Sequence, residues 1–236
     1  MTAEMIDGKV ISKELREELT VEVAEMVAAG KPKPGLATVL VGEDPASQSY
    51  VRSKQKSSAR VGIESFGFNL SAESSQAEVE GLVKELNEDP RVHGILVQLP
   101  LPSGLDEEKV LNIISLEKDV DGFHPVNFGR MAQGLPAYIP ATPNGILEML
   151  KRYEIKTEGT EVVVVGRSNI VGMPMSILMA LKAYPGNATV TICHSRTKDL
   201  AFHTRRADIV IAAIGRANFI TADMLKEGVV VIDVGI

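Results

Sequence analysis

Tyr50 and Lys54 stand four residues apart in the stretch QSYVRSKQK, a spacing that puts an aromatic ring and an amine on one face of a helix. The pair is either a solvated surface contact or a wall and a proton carrier beside a ligand. Gln98 follows an apolar run in GILVQLPLP, so it falls at the C-terminal end of a predicted strand, the edge where open α/β sheets bind ligands. An amide there either caps its own loop or orients a neighbouring lysine. Pro100 and Pro102 predict an extended exit from that strand. Asp119 and Asp121, in KDVDGFHP, are turn-formers or carboxylates that grip a cationic or N–H-rich ligand.

A second set of residues lies in VVVVGRSNIVGMP. Gly166 and Gly172 flank Arg167 and Ser168, after an apolar strand and before a helix. A serine replaces the second glycine of the usual dinucleotide fingerprint, yet the turn still aims backbone N–H groups and a helix N-terminus at an anion such as a pyrophosphate. The alternative is an ordinary strand-to-helix turn with glycines for packing. At the end of the next strand, ATVTIC, an NAD enzyme commonly carries an acidic residue for the ribose 2′-hydroxyl. Here Ser195 and Arg196 occupy that place and no carboxylate follows until Asp199, which favours NADP over NAD. No His, Cys, Asp and Glu grouping has metal-ligand spacing, and no nucleophile elbow is present, so no metal and no serine-hydrolase chemistry are expected.

The elements that must position these residues alternate between strand-like and helix-like from end to end. That pattern predicts an α/β fold of two domains, each a largely parallel sheet with crossover helices, the second Rossmann-like. Asp44 and Pro45 are placed to open the helix that carries Tyr50 and Lys54. That helix is rich in serine and poor in aliphatics; small residues let it approach other backbone or leave room beside a ligand. The Gly- and Pro-rich stretch from Asp119 to Pro143 reads as the domain boundary, giving expected domains of residues 1–142 and 143–236.

Composition narrows the class. The 236-residue chain has a net charge of −6, no tryptophan and few other aromatics, which argues against nucleic acid as a partner. No apolar run approaches a membrane span and no secretory signal opens the chain. A single cysteine, Cys193, fits a reducing cytoplasm.

Taken in order, SQSYVRSKQK, GILVQLPLP, KDVDGFHP, TPNGI, VVGRSNIVGMP, TVTICHSRT and VVIDVGI resemble the bifunctional methylenetetrahydrofolate dehydrogenase/methenyltetrahydrofolate cyclohydrolase family from Met5 to Ile236. The resemblance implies NADP-linked oxidation of 5,10-methylenetetrahydrofolate to the 5,10-methenyl cation, then hydrolysis to 10-formyltetrahydrofolate at the same site. It makes Lys54 the catalytic lysine, Gln98 its partner, Tyr50 the aromatic beside the folate and Asp121 the anchor of the pterin, with Pro100 also at the substrate. Gly166, Arg167, Ser168, Gly172, Ser195 and Ile236 fall in its dinucleotide-site segments. A carboxylate in place of Gln98 would hold the lysine charged, whereas a neutral amide does not. The resemblance also implies a homodimer, and further residues beyond Ile236 that include a last helix. A shikimate-type NADP dehydrogenase and a non-catalytic NADP-binding protein are the rival readings, and the order YVRSK, VQLPLP, DVDG counts against the first.

Overall fold

The computed structural model describes residues 3–234. They pack as two compact units that divide between Val126 and Asn127. The first holds α1 (Gly8–Ala28), β1 (Gly35–Val41), α2 (Pro45–Arg60), β2 (Glu64–Leu70), α3 (Gln76–Glu88), β3 (Gly94–Val97) and α4 (Glu107–Ile113). Helix α5 (Pro125–Ala132) begins at its end. The second unit continues with α6 (Ala141–Arg152), β4 (Glu161–Val165), α7 (Gly172–Ala180), β5 (Thr189–Cys193), α8 (Leu200–Thr204), β6 (Ile209–Ala212) and β7 (Val230–Asp233).

The helix starts are local chemistry. Asp44 accepts from the Ser47 N–H at 2.7 Å and Pro45 occupies the first turn of α2. Ser75 and Glu78 close a capping box on α3, and Asp106 caps α4 by accepting from the Lys109 N–H. Helix α5 is the departure from expectation, since its residues lie inside the stretch read as a Gly/Pro boundary. Pro125 stands at its first position, and burial of Asn127 and Met131 on one side holds the short helix in place.

Both sheets are parallel among the described strands, ordered β2-β1-β3 and β5-β4-β6-β7. In each, the chain winds one way from its first strand and then crosses to the other side. That leaves a topological switch point between β1 and β3 in the first unit and between β4 and β6 in the second, the places where such sheets bind ligands. One face of β1 sends Ala37, Val39 and Val41 into a core with Val79, Val83 and Leu86 of α3 and Val110 of α4. In the second unit the core includes Val163, Val165, Val210 and Cys193. Burial raises the Cys193 thiol's pKa, with a Thr197 hydrogen bond working against it, so this sulfur is a packing group rather than a nucleophile.

Candidate active site

In the first unit the switch point holds Gln98, one residue past β3, whose backbone N–H donates to the Val39 carbonyl of β1 at 2.9 Å. Its side-chain amide is fixed at both ends. Nε2 donates to the Leu99 carbonyl at 2.6 Å, and Oε1 accepts from Lys54 Nζ at 3.1 Å. Because only the nitrogen of an amide can donate to a carbonyl, the Leu99 contact forces the oxygen toward Lys54. Past Gln98 the chain bends at Leu99 and Pro100 instead of making the extended exit expected from the prolines. Glu107 holds the segment that follows by accepting from the Leu101 N–H at 2.7 Å.

Lys54 comes from α2, which buries Ser47, Val51 and Ser58 on one stripe and leaves Tyr50 46% exposed, so its ring is free to meet a ligand. The two buried serines are the small residues that let α2 lie close to the sheet. The next residue along, Gln55, donates to the buried Thr38 hydroxyl of β1 at 3.0 Å and sets the register of the helix. Gly67 makes room for it: a Cβ there would stand 2.5 Å from Gln55 Nε2.

The two aspartates expected as turn-formers or grips divide the roles. Asp119 is buried and accepts from the N–H groups of Phe123 at 3.2 Å and His124 at 3.0 Å, so it shapes the turn. Asp121 is half-buried, and its carboxylate accepts no hydrogen bond from any described residue. Burial raises its pKa; the positive charge of Lys54 pulls the other way and the negative charge of Asp119 adds to the rise. A carboxylate kept short of partners next to an amine is poised for a ligand that brings its own donors.

The same displacement predicts a pH signature. With the folded pKa above its ordinary 3.8, Asp121 favours the folded state fully below that value and loses this contribution as pH rises through the folded pKa. Asp121→Asn is therefore expected to melt above the parent at pH 7 in the absence of ligand, by about 2–4 °C for each kcal/mol relieved. The gap should close as the pH approaches the ordinary aspartate value. Calorimetric melts of both proteins from neutral pH down toward the ordinary aspartate value check this, and a gap that widens toward acid contradicts it.

In the second unit, Gly166 follows β4 at the other switch point, with φ +131°, and a Cβ on it would collide with the Ala213 carbonyl beyond β6. A Cβ on Gly172 would fall 2.5 Å from the Gly166 carbonyl carbon and 2.7 Å from the Arg167 nitrogen. Bare backbone at both positions folds the turn back on itself. Ser168 Oγ accepts from the N–H groups of Val171 at 3.2 Å and Gly172 at 3.4 Å, which tightens the start of α7. Arg167, Ser195 and Arg196 are exposed, and neither guanidinium has a partner among the described residues. Asp199, the first carboxylate after β5 in the chain, is spent capping α8 through the Phe202 N–H. A dinucleotide with a phosphorylated ribose fits this set: a glycine turn for the pyrophosphate, and hydroxyl and guanidinium groups without competing acid. Ile236 lies outside the described residues.

All four histidines make structural contacts, His124 Nδ1 accepting from the Val126 N–H at 3.2 Å. His93 Nδ1 accepts from the Gly35 N–H, His194 Nδ1 accepts from the Arg196 N–H, and His203 packs edge-on against Phe202. Among the described residues no three His, Cys, Asp or Glu side chains gather as a metal site.

Residues 6–121 match the family model of the tetrahydrofolate dehydrogenase/cyclohydrolase catalytic domain, and residues 140–236 match that of its NAD(P)-binding domain. The chain belongs to the tetrahydrofolate dehydrogenase/cyclohydrolase family. A bifunctional protein FolD from Bacteroides fragilis is 55% identical over 231 residues, spanning 98% of this chain and 79% of the relative. The bifunctional FolD enzyme of Campylobacter jejuni superposes with a TM-score of 0.95 at 45% identity, over 99% of this chain and 81% of its own. The Trypanosoma brucei dehydrogenase-cyclohydrolase, solved with NADP cofactor and an inhibitor, superposes with a TM-score of 0.93 at 38% identity, over 100% and 80% of the two chains. Within this family frame, the Leu99 carbonyl and the Gln55–Thr38 bond are site features that the sequence pattern leaves unmarked. A backbone acceptor carries no residue signature, and a buried threonine in a strand reads as packing.

Proposed function

We propose that this protein oxidises 5,10-methylenetetrahydrofolate with NADP+ and hydrolyses the resulting 5,10-methenyl cation to 10-formyltetrahydrofolate, a pair of steps in one-carbon metabolism. Family membership supplies the reaction class. The observation that supports placing it at these residues is the Lys54–Gln98 hydrogen bond beside the unpartnered Asp121 carboxylate. In the hydrolysis, water adds to the electrophilic one-carbon bridge and a proton leaves; a carbon–nitrogen bond then opens to give the formyl group. Lys54 carries the proton traffic of these events as general acid and base. Gln98 orients it without adding a charge, and Tyr50 stacks against the folate with Pro100 at the same edge. Asp121 anchors the pterin, whose N–H groups supply the donors its carboxylate lacks.

NADP, when bound, supplies the hydride acceptor. Gly166, Gly172 and Ser168 form the turn that takes its pyrophosphate, with Ile236 in the same assignment. Arg167 and Ser195 take the 2′-phosphate by charge and hydrogen bond. The catalytic domain in this reading covers residues 1–142 and the NADP-binding domain 143–236. The active form is a cytoplasmic homodimer without nucleic acid or membrane partners, and its product feeds formyl-consuming reactions such as those of purine biosynthesis.

The cofactor assignment is tested by rates of methylenetetrahydrofolate oxidation with NADP+ and with NAD+. The parent should prefer NADP+. Ser195→Asp, which sets a negative charge against the 2′-phosphate, should cut that preference by roughly tenfold or more, the effect of about 1.4 kcal/mol of repulsion. An unchanged ratio in the variant would remove Ser195 from the 2′-phosphate site.

A further inference from the structure

Lys118 stands at the head of the turn that presents Asp121, and its ammonium is held by three backbone carbonyls. Nζ donates to Leu86 at 3.1 Å, Asn87 at 2.6 Å and Asp89 at 3.0 Å, the carbonyls that end α3. A helix end leaves carbonyls such as those of Leu86 and Asn87 without intrahelical partners and carries partial negative charge, while the Asp89 carbonyl also accepts from the Val92 N–H. Helix α3 has no basic residue in its own last turn, so Lys118 brings the missing cation from outside the helix. Asn87 adds a second tie, donating to the Ile113 carbonyl at 2.8 Å and accepting from the Ser115 N–H at 2.9 Å.

From Lys118 onward each residue of the turn is committed except Asp121. The Lys118 carbonyl accepts from the N–H groups of Ile95 at 2.7 Å and Val120 at 2.9 Å, and Asp119 pairs alongside Ile95. Val120 packs over Gly94, where a Cβ would stand 2.5 Å from Val120 Cγ1. The Gly122 N–H donates to the Asp119 carbonyl at 3.1 Å, with φ +66° at Gly122. The turn is thus fastened to β3 on one side and to the end of α3 on the other. The charged link to α3 is the Lys118 ammonium.

We propose that Lys118 is a positioning residue for the substrate: clamped by the carbonyls that end α3, it fixes the turn from which Asp121 meets the folate. Lys118 touches no reacting atom and acts through Asp121, so this inference rests on the assignment of Asp121 to the pterin. Its loss loosens the presentation of one carboxylate rather than the Lys54–Gln98 pair.

A double-mutant cycle on the whole protein tests it, with KM for 5,10-methylenetetrahydrofolate, KM for NADP+ and kcat measured in the parent, Lys118→Met, Asp121→Asn and the double variant. Lys118→Met is expected to raise the folate KM about tenfold and to leave the NADP+ KM and kcat within about twofold, the pattern of lost substrate binding. In the double variant the effects should not add: once Asp121 is gone, removing Lys118 should change the folate KM by less than about twofold. Lys118→Arg, which keeps a cation at the helix end, should recover most of the affinity. If Lys118→Met yields no folded protein, Lys118→Gln, with a single amide for the three carbonyls, carries the same cycle and is judged by the same criterion. An unchanged folate KM in the Lys118 variant, or full additivity with Asp121→Asn, overturns the positioning role. An unchanged folate KM in Asp121→Asn is a different failure: it overturns the Asp121 assignment and this inference with it.

Discussion

Lys54→Ala should slow the hydrolysis of 5,10-methenyltetrahydrofolate by roughly 10²–10⁴-fold, the range spanned by positioned general acid–base groups. The NADP affinity of the same variant should stay within about threefold of the parent, since no NADP contact is lost. The expectation follows from what remains when the amine is gone. Gln98 keeps its bond to the Leu99 carbonyl, so its oxygen still faces the vacated place, but an amide neither takes nor gives a proton there. Asp121 retains a carboxylate, whose raised pKa reflects burial first, and loses the positive charge that opposes that rise. His93 and His194 are engaged elsewhere as acceptors of backbone N–H groups. Methenyl decay followed with enzyme in excess measures the step directly. Undiminished hydrolysis in the variant would remove Lys54 from the proton-transfer role.

Gly172→Ala should abolish measurable NADP binding and destabilise the second unit by about 1–3 kcal/mol, the usual range for forcing extra atoms into a filled site. The added methyl would meet the Gly166 carbonyl and the Arg167 nitrogen, which are backbone atoms and cannot swing aside as a side chain can. Relieving the contact means opening the turn, and the turn is what aims N–H groups at the pyrophosphate. Gly166 is constrained on its own account by its φ of +131° and by the Ala213 carbonyl, so it cannot yield to its neighbour. Titration of the purified variant with NADP, alongside a denaturant melt, tests both halves. Full affinity with an unchanged melt would mean that the turn has slack its backbone contacts do not show.

Much of this site is legible in the amino-acid sequence because its signals are local. A cap residue, an i,i+4 pair and a glycine turn between strand and helix each depend on a few neighbouring residues, and all three stand where the spacing places them. What the sequence hides depends on partners distant in the chain. The sequence order of strands says nothing of the spatial order β2-β1-β3, yet that order puts Gln98 beside β1 and within reach of α2. The Asp119–Asp121 ambiguity resolves only through which carboxylate the turn consumes. Lys118 carries no local signal, because the helix end that holds it lies roughly thirty residues earlier in the chain. Helix α5 is obscured for the opposite reason: glycines and prolines around it outweigh a short amphipathic stretch whose burial only tertiary packing reveals.

The most direct test of the proposed activity is a single time course in which the purified protein receives 5,10-methylenetetrahydrofolate and NADP+. NADPH, methenyl- and 10-formyltetrahydrofolate are followed together. NADPH formation should be matched mole for mole by the sum of the two folate products, with methenyl converted to 10-formyl faster than in an enzyme-free control. No NADPH, or methenyl that accumulates and decays only at the control rate, would contradict the bifunctional assignment.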